Sequence, residues 1–268
     1  MLENKPRNDF LESLRTFDEM TLRAVSISES RIGVEHTGRQ NRVLMAFAKM
    51  TTHAMSIHLL CGHSAQQDHA AGLLDHFSIG TLTRSLFDAS VMTLYLSEPT
   101  LSAAEWDLRR HVLFLHDATN RKRFLQAGDK VSNLAKPRHD ADSYRQYKAS
   151  ILKVIEARGK ELGLETDRIE ELSKGNLVFM NGLRGAVREA GLDLHQFEFI
   201  QTYLSSYVHS HPTSLLRTEN ISFDTPTDFQ LDFCKLCLAT SETYMDAAIR
   251  RVEAFTGHIA LDQNGHIQ

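Results

Sequence analysis

Apolar residues recur along this chain at intervals of three and four positions, and no segment alternates clearly between apolar and polar residues. The first pattern is typical of amphipathic helices, whereas the second would indicate strands. Only five prolines and 14 glycines interrupt the 268 residues, which leaves long stretches without helix-breaking positions. The pattern therefore predicts an all-α protein, a single helical bundle of about seven to nine helices.

The predicted helices form one domain over residues 1–268. A first helix at about 9–25 packs on a core of about residues 40–256, and the tail 257–268 is expected to be loose. A loop is predicted near residues 61–67, where glycine and glutamine cluster. The other predicted helices lie at about 40–60, 69–96, 102–125, 143–162, 194–208 and 228–255, with shorter pieces between 167 and 190.

The predicted helix at 69–96 is the most apolar part of the chain, and it is expected to be central because apolar residues occur on all its sides. Its segment 77–96 contains two charges, Arg84 and Asp88, which are four residues apart and share one face. One interpretation is a buried ion pair that fixes helix packing, since burying an unpaired charge is costly. The other is a polar cleft in which Arg84 binds an anion.

Two short motifs carry a resemblance to a known family: TRSLFDASVMTLYL at residues 83–96 and YLSSYVHSHPTSL at residues 203–215. They resemble a family of uncharacterised bacterial helical proteins. That family has an Arg-Ser-Leu-Phe-Glu-type core helix and a later Tyr-x-x-x-Ser-x-x-x-His-type segment, and it is suggested to be distantly related to HEPN (higher-eukaryote and prokaryote nucleotide-binding) domains. The resemblance covers about residues 40–125 and 194–256. It implies a helical module that binds a nucleotide, RNA or a protein partner, in a bacterial stress or defence system.

The resemblance also implies a set of binding residues. Arg84 matches the arginine of the family, and Asp88 stands where glutamate is usual. His209 matches the histidine. Tyr203 and Ser206 stand six and three residues before His209, so their match to the family's tyrosine and serine is approximate. These five residues are the candidate binding site.

His209 and His211 stand one residue apart, just before Pro212, at the predicted end of a helix. A His-x-His pair chelates a metal when both rings project to one side, as on a strand. On a helix, side chains two positions apart diverge by about 160°, so one ring is expected inside and the other outside. Spacing and resemblance favour His209 as the inward residue, in contact with Arg84 and Asp88.

An enzymatic role is the main alternative, either a HEPN-like ribonuclease or another phosphoryl-transfer enzyme that uses Arg84, Asp88 and His209. In active HEPN ribonucleases, an arginine is followed by the catalytic histidine after four to six intervening residues. The histidine then acts as acid and base on the RNA 2′-OH, and the arginine stabilises the phosphate. Such spacings occur here about as often as chance predicts for 14 histidines, and none lies in either motif. The sequence therefore favours a non-catalytic binding module.

The predicted helix at 102–125 offers the best local surface for a nucleic acid or an acidic partner. The chain carries a net charge of −4, so contact with nucleic acid requires a local basic patch. The helix opens with Ser102 and Glu105 at the spacing of a capping box. Further along, with Phe114 and Phe124 interleaved, it carries Arg109, Arg110, Arg121, Lys122 and Arg123. The alternative is a solvated face whose arginines pair with neighbouring acids.

Metal sites are only weakly indicated. His69 and His76 are seven residues apart, whereas metal-binding pairs on helices are usually three or four apart. Cys234 and Cys237 lie in an apolar helical pattern, and together with Cys61 they fall short of the four ligands of a structural zinc site. We expect all three cysteines to be buried and unreactive, and we predict no cofactor.

The last expectations concern location and assembly. The N-terminus lacks the apolar region of a signal peptide, and residues 77–96 are too polar to cross a bilayer. This predicts a cytoplasmic protein without a membrane partner. Helical proteins of this kind often dimerise, so a homodimer is a further expected assembly. A purely structural dimerisation protein, whose buried polar groups specify packing, is the third functional alternative.

Overall fold

The computed structural model describes residues 5–66, 74–128, 130–131, 141–216 and 221–257. In these ranges the chain forms ten helices and no strand, which confirms the all-α prediction. The count exceeds the predicted range because of a single turn that begins at Pro212, in the first helical position that proline favours. The helices are α1 (Lys5–Glu29), α2 (Gly38–Gln66), α3 (His76–Leu96), α4 (Ala103–Gly128), α5 (Ala141–Glu161), α6 (Thr166–Ser173), α7 (Gly182–Glu189), α8 (Leu194–Val208), α9 (Pro212–Leu215) and α10 (Asp228–Thr256).

The chain divides into two compact units. Unit 1 comprises Met1–Ser97 and Asp193–Gln268, and unit 2 comprises Glu98–Leu192. Unit 1 therefore contains α1, α2, α3, α8, α9 and α10, whereas unit 2 contains α4 to α7. That both units fold as one domain stays a prediction.

Helix α3 lies at the centre of unit 1, where α2, α8 and α10 all pack against it. Most of its residues are buried, which confirms the predicted central apolar helix. Two of its buried hydroxyl groups donate to carbonyls one turn earlier in the same helix: that of Ser90 to Leu86 at 3.0 Å and that of Thr93 to Ala89 at 2.8 Å. They therefore need no polar partner from neighbouring helices. In the described part of the chain, no helix, α3 included, has both the length and the hydropathy to span a bilayer.

The start of α3 is fixed by a cap. The Asp75 carboxylate accepts a hydrogen bond from the backbone amide of Ser78 at 3.0 Å. The helix was predicted to begin at about residue 69, but residues 69–73 lie outside the described ranges. One turn after the cap, Gly80 allows α10 to approach closely, since a Cβ at this position would lie 2.9 Å from the Phe233 ring.

Helices α1 and α2 flank this centre. Helix α1 contacts α10 and α2, and an ion pair of 2.8 Å joins Arg23 to Glu253 of α10. The loop predicted near residues 61–67 is wrong over its first six residues, because α2 continues to Gln66. A lone glycine such as Gly62 is tolerated inside a helix.

Unit 2 is built on α4 and α5, which pack on each other, with α6 against both. The predicted capping box opens α4: the Ser102 amide donates to Glu105 Oε2 at 2.8 Å, and the Glu105 amide donates to Ser102 Oγ at 3.2 Å. These hydrogen bonds hold the pKa of Glu105 below its usual range. The core between the helices is small and consists of Leu108, Val112, Leu115, Ile151, Ile155 and Leu172.

Candidate functional site

Arg84 and Asp88 form an ion pair along α3, but the pair is only half buried. The Arg84 side chain is 13% exposed, whereas that of Asp88 is 55% exposed. They lie on the stripe with Phe77 and Thr81, neither of which is fully buried. Nε and Nη1 of Arg84 are buried and have no hydrogen-bond partner among the described residues, since the contact with Asp88 lacks hydrogen-bond geometry. The Arg84 side chain is thus mostly buried, whereas the carboxylate with which it pairs is exposed to solvent.

His209 does not face inward, and this prediction is wrong. Both His209 and His211 are exposed, and their rings stack with centroids 5.5 Å apart and planes inclined by 27°. The prediction extended helical geometry too far, because α8 ends at Val208 and His209 is already its C-cap. Ser210 then takes a positive φ of 49°, which turns the chain and brings the second ring beside the first.

Arg84 and His209 are therefore not joined. Within the described residues, no hydrogen bond, ion pair or ring contact links the His209 ring to Arg84 or Asp88. Acid–base chemistry on a phosphate bound by Arg84 would require the imidazole within hydrogen-bond reach of the same group. The geometry offers no such constellation.

Tyr203 and Ser206 make contacts within α8 and with the turn that follows it. Ser206 is buried, and its hydroxyl donates to the Tyr203 carbonyl at 2.7 Å. The Ser206 carbonyl in turn accepts from the His211 amide at 2.9 Å and from the Ser214 hydroxyl at 3.0 Å, which anchors the turn after α8. Tyr203 packs edge-on against Tyr207, with ring centroids 5.7 Å apart. Burial, reinforced by the Tyr203 hydroxyl, raises the pKa of Tyr207.

His76, one of the two weak metal candidates, is a core residue. Its ring is buried against Phe77, with centroids 4.0 Å apart, and Gln230 Nε2 lies 3.4 Å from its Nδ1. Burial lowers the pKa of His76, so the ring is neutral at pH 7. His69 lies outside the described residues, so the pair itself stays a prediction. Among the residues that are described, no three His, Cys, Asp or Glu side chains are grouped as metal ligands would be.

The three cysteines are buried free thiols, as predicted. Burial raises the pKa of Cys61 to about 12 and that of Cys234 well above its ordinary value. Burial also raises the pKa of Cys237. All three therefore stay protonated at neutral pH, and a protonated thiol is a poor nucleophile and metal ligand.

Arg109 and Arg110, the first half of the predicted basic patch, both form ion pairs within unit 2. Arg109 is buried and pairs with Glu189 of α7, and Arg110 pairs with Asp107. Asp107 also accepts from Arg158 of α5 at 2.8 Å. Arg109 thus ties α4 to α7 and its assignment to a binding patch is wrong, whereas Arg110 pairs within α4 and its place in a patch stays a prediction. The alternative, in which the arginines pair with acids, holds for this half.

The second half of the patch lies on the exposed end of α4. Arg121, Lys122 and Arg123 are all exposed, and Phe124 keeps 77% of its surface in solvent. Arg121 pairs with Asp117 at 2.9 Å, and Arg123 donates to Asn176 at 3.1 Å. Both contacts are exposed and therefore weak.

The start of α5 extends this surface. The ammonium of Lys122 lies 5.7 Å from the centre of the Tyr144 ring, in cation–π contact. Tyr147 is exposed one turn later, and Arg145 and Lys148 alternate with the two tyrosines. This contribution of α5 was not predicted, although the run YRQYK at 144–148 already shows aromatic and basic residues in alternation. We refer to the following residues as the α4–α5 basic surface: Arg121, Lys122, Arg123, Phe124, Tyr144, Arg145, Tyr147 and Lys148.

The charge of the chain is divided unevenly between the two units. Unit 2 contains 17 Lys and Arg against 14 Asp and Glu, whereas the rest of the chain contains 13 against 20. Residues 118–128 and 143–155, which include the α4–α5 basic surface, carry six basic residues and no acidic one. These two segments are thus basic in a protein that carries a net charge of −4.

A cleft of about 300 Å³ between α1 and α10 in unit 1 shows the opposite charge. Asp9, Glu12 and Glu242 line it together with Lys235, which already pairs with Asp9 at 3.6 Å. Burial raises the pKa of Glu242. Since its one cation is paired with an acid of the cleft, this cleft does not attract phosphate groups.

No family model, curated protein or solved structure matches this chain. The resemblance to HEPN-related proteins therefore stays a prediction.

Proposed function

We propose that this protein is a non-catalytic module that binds single-stranded RNA through the α4–α5 basic surface. The observation that carries the proposal is the contact of Lys122 with Tyr144, between two segments, 118–128 and 143–155, that together carry six basic residues and no acidic one. Lys122 of α4 and Tyr144 of α5 thus bring a cation and a ring together, and exposed basic and aromatic residues occupy the adjoining positions of both helices. This is the composition that proteins use to bind single strands.

Each component has a distinct role in such binding. Arg121, Lys122 and Arg123 neutralise phosphates and release their counterions, which gives affinity that falls with salt. Phe124 and Tyr147 are exposed and offer rings on which bases can stack. Stacking on a ring requires an unpaired base, which favours a single strand over a duplex.

The enzymatic alternative finds no support in the geometry. A ribonuclease that used Arg84, Asp88 and His209 would need the guanidinium and the imidazole to act on one phosphodiester. The His209 ring stacks on His211 at the exposed end of α8, and no contact joins it to Arg84. We therefore do not assign the protein a catalytic role.

Binding of a fluorescent single-stranded oligouridine tests the proposal by anisotropy. Replacing Arg121, Lys122 and Arg123 together by alanine removes three phosphate contacts, so the slope of log K against log salt should fall by about 2. Phe124→Ala should weaken binding by about 1–3 kcal/mol through lost stacking and leave the salt slope unchanged.

Matched controls come from unit 1. Arg250→Ala removes an exposed, ion-paired cation of α10, and Phe223→Ala removes an equally exposed ring. Neither should change RNA affinity. The proposal fails if the wild type binds no RNA, if duplex RNA binds as tightly as a single strand, or if the controls weaken binding as much as the α4–α5 variants.

A further inference from the structure

The solvent face of α2 carries a second apolar stripe. Met45 and Leu59 expose 74% and 67% of their surfaces, and Met55 is exposed between them. Together with small residues they recur at intervals of three and four positions, which is the heptad spacing of a helix packed against another helix. We call this set the α2 seam: Met45, Ala48, Thr52, Met55, Leu59 and Gly62.

Internal packing of unit 1 does not explain this stripe. The opposite face of α2 already buries Phe47, Met50 and Ile57 completely in the core of the unit. A helix at the surface of a globular protein usually presents polar and charged residues to solvent. Between residues 45 and 62, however, α2 carries one lysine, Lys49, and no acid.

The hydroxyl groups of this face need no water. Thr52 Oγ1 donates to the Ala48 carbonyl at 2.9 Å, and Ser56 Oγ donates to the Thr52 carbonyl at 3.0 Å. Both hydroxyls are therefore satisfied within the helix. Covering them with an apolar surface leaves no donor unpaired.

Gly62 points to a partner at the end of the seam. Glycine inside a helix is destabilising relative to alanine, so a packing reason is expected for it. A Cβ at Gly62 would meet nothing within 4 Å, in contrast to Gly80, where the Phe233 ring lies in the way. The reason for Gly62 therefore does not lie in the described part of its own chain.

We propose that the α2 seam binds the α2 seam of a second copy, in antiparallel orientation about a two-fold axis. In this register Met45 faces Gly62 of the second copy, Ala48 faces Leu59, and Thr52 faces Met55. Each layer pairs a large side chain with a small one, which is how facing positions fill space without voids or clashes. The two-fold axis repeats all three layers, as an isologous interface requires.

The parallel arrangement does not fit the same residues. It would place Met45 against Met45 and Leu59 against Leu59, and it would leave the Ala48 and Gly62 layers without a large side chain to fill them. Lys49 stands next to the seam in the sequence. In the antiparallel register the two Lys49 side chains are about 13 Å apart along the axis, so these two like charges do not meet. The sizes of the facing residues therefore favour a second copy as the partner and an antiparallel arrangement of the two α2 helices.

The seam is short, which sets the expected strength. Eighteen residues of helix extend about 27 Å, and one pair of such helices gives an interface at the small end of the range for specific complexes. We therefore expect a dimer that dissociates on dilution. This interaction is independent of RNA binding, since it uses α2 of unit 1 and none of the α4–α5 basic surface.

Sedimentation velocity of the full chain over an about hundredfold range of concentration tests the dimer. The wild type should pass from monomer to dimer, whereas the double variant Met45→Glu with Leu59→Glu should stay monomeric. Both residues are exposed, so the variant should keep its helical circular dichroism. Leu216→Glu, at an equally exposed leucine outside α2, is the control and should dimerise like the wild type. A wild type that stays monomeric throughout, or a seam variant that dimerises normally, overturns the proposal.

Gly62→Leu gives a test in which two effects have opposite signs. The open space around Gly62 and the better helix propensity of leucine should raise the thermal stability of the dilute monomer. The same side chain occupies the place of Met45 from the second copy, so dimerisation should weaken at least tenfold. Weakened dimerisation together with a less stable monomer would indicate a folding defect and contradict the proposed layer.

Cysteine cross-linking tests the register. A mixture of Ala48→Cys and Leu59→Cys should form a covalent dimer under mild oxidation, because these positions face each other. Ala48→Cys alone should not, since its two copies lie about 16 Å apart in the antiparallel register. The buried native Cys61, Cys234 and Cys237 should not compete. A disulfide formed by Ala48→Cys alone would contradict the antiparallel arrangement.

Discussion

Unit 1 and unit 2 are both all-helical, but they use charge differently. In unit 1, α3 is surrounded by three helices, and its buried Ser90 and Thr93 hydroxyls bond to their own backbone. In unit 2, the apolar core is small, and Asp107 binds Arg110 and Arg158 to hold α4 against α5. The core of the first unit is held mainly by apolar contacts, whereas the second unit places a network of ion pairs beside its core.

This difference shows which basic residues of unit 2 are free to act on a ligand. The arginines near its core, such as Arg109, belong to ion pairs that hold helices together. Those at the end of α4 have exposed and weak partners. Position relative to the core, rather than charge alone, separates structural cations from candidate binding cations.

The largest change in the free energy of unfolding is expected from a substitution in the core of unit 1. Phe87 is completely buried in α3, and its ring centre lies 3.9 Å from that of Tyr244. Phe87→Ala should lower the free energy of unfolding by about 3–5 kcal/mol, because it leaves a cavity that the neighbours cannot fill. Urea unfolding measures this change. The exposed Phe124 of unit 2 is the matched control, and Phe124→Ala should change stability by less than about 0.5 kcal/mol.

A smaller effect, which depends on pH, is expected in unit 2. Burial alone would raise the pKa of Asp107, but hydrogen bonds from Arg158 and Arg110 outweigh it and hold the pKa below its usual range. The carboxylate therefore adds stability above the pKa of an unfolded aspartate, about 3.9, and loses it as the pH falls through its lower folded pKa. Asp107→Asn should cost about 1.5–3 kcal/mol at pH 7.

Unfolding at a series of pH values separates this linkage from a packing defect. The stability difference between wild type and Asp107→Asn should shrink as the pH falls below about 4. Asp117→Asn, which removes the exposed partner of Arg121, is the control and should cost no more than about 1 kcal/mol. A difference that stays constant down to low pH would mean that the ion pairs of Asp107 are not its cause.

The smallest effect is expected at the end of α8. His209→Ala removes an exposed ring whose one ring contact is with His211. Its effect on the free energy of unfolding should stay within about 0.5 kcal/mol. Incubation of RNA with wild type and variant should give no turnover in either. Turnover by the wild type that the variant loses would restore the ribonuclease hypothesis.

The helices of both units could be predicted from sequence, because apolar periodicity and caps are local signals. The Ser102–Glu105 capping box and the central place of α3 follow from residues that are near neighbours in the chain. The run through Gly62 was missed because one glycine does not end a helix. Helix α2 shows that a single glycine is a weak predictor of a helix break.

The candidate site was predicted less well, because it depends on contacts between distant residues. The partner of Arg109 is Glu189, 80 residues later, and no local pattern announces that pair. The orientation of His209 depends on the end of α8 and on the φ of Ser210, which helical periodicity cannot supply. The cation–π contact of Lys122 with Tyr144 likewise requires the packing of α5 on α4.

The burial of α3 has a consequence for the exchange of its backbone amide protons with solvent. Because α2, α8 and α10 cover this helix, its amides should exchange only when unit 1 opens as a whole. The slowest amides of α3 thus measure the stability of the whole unit under native conditions. At the exposed end of α4, the amides should exchange through fast local opening, so a single exchange experiment reads out both the buried centre of unit 1 and the proposed binding surface.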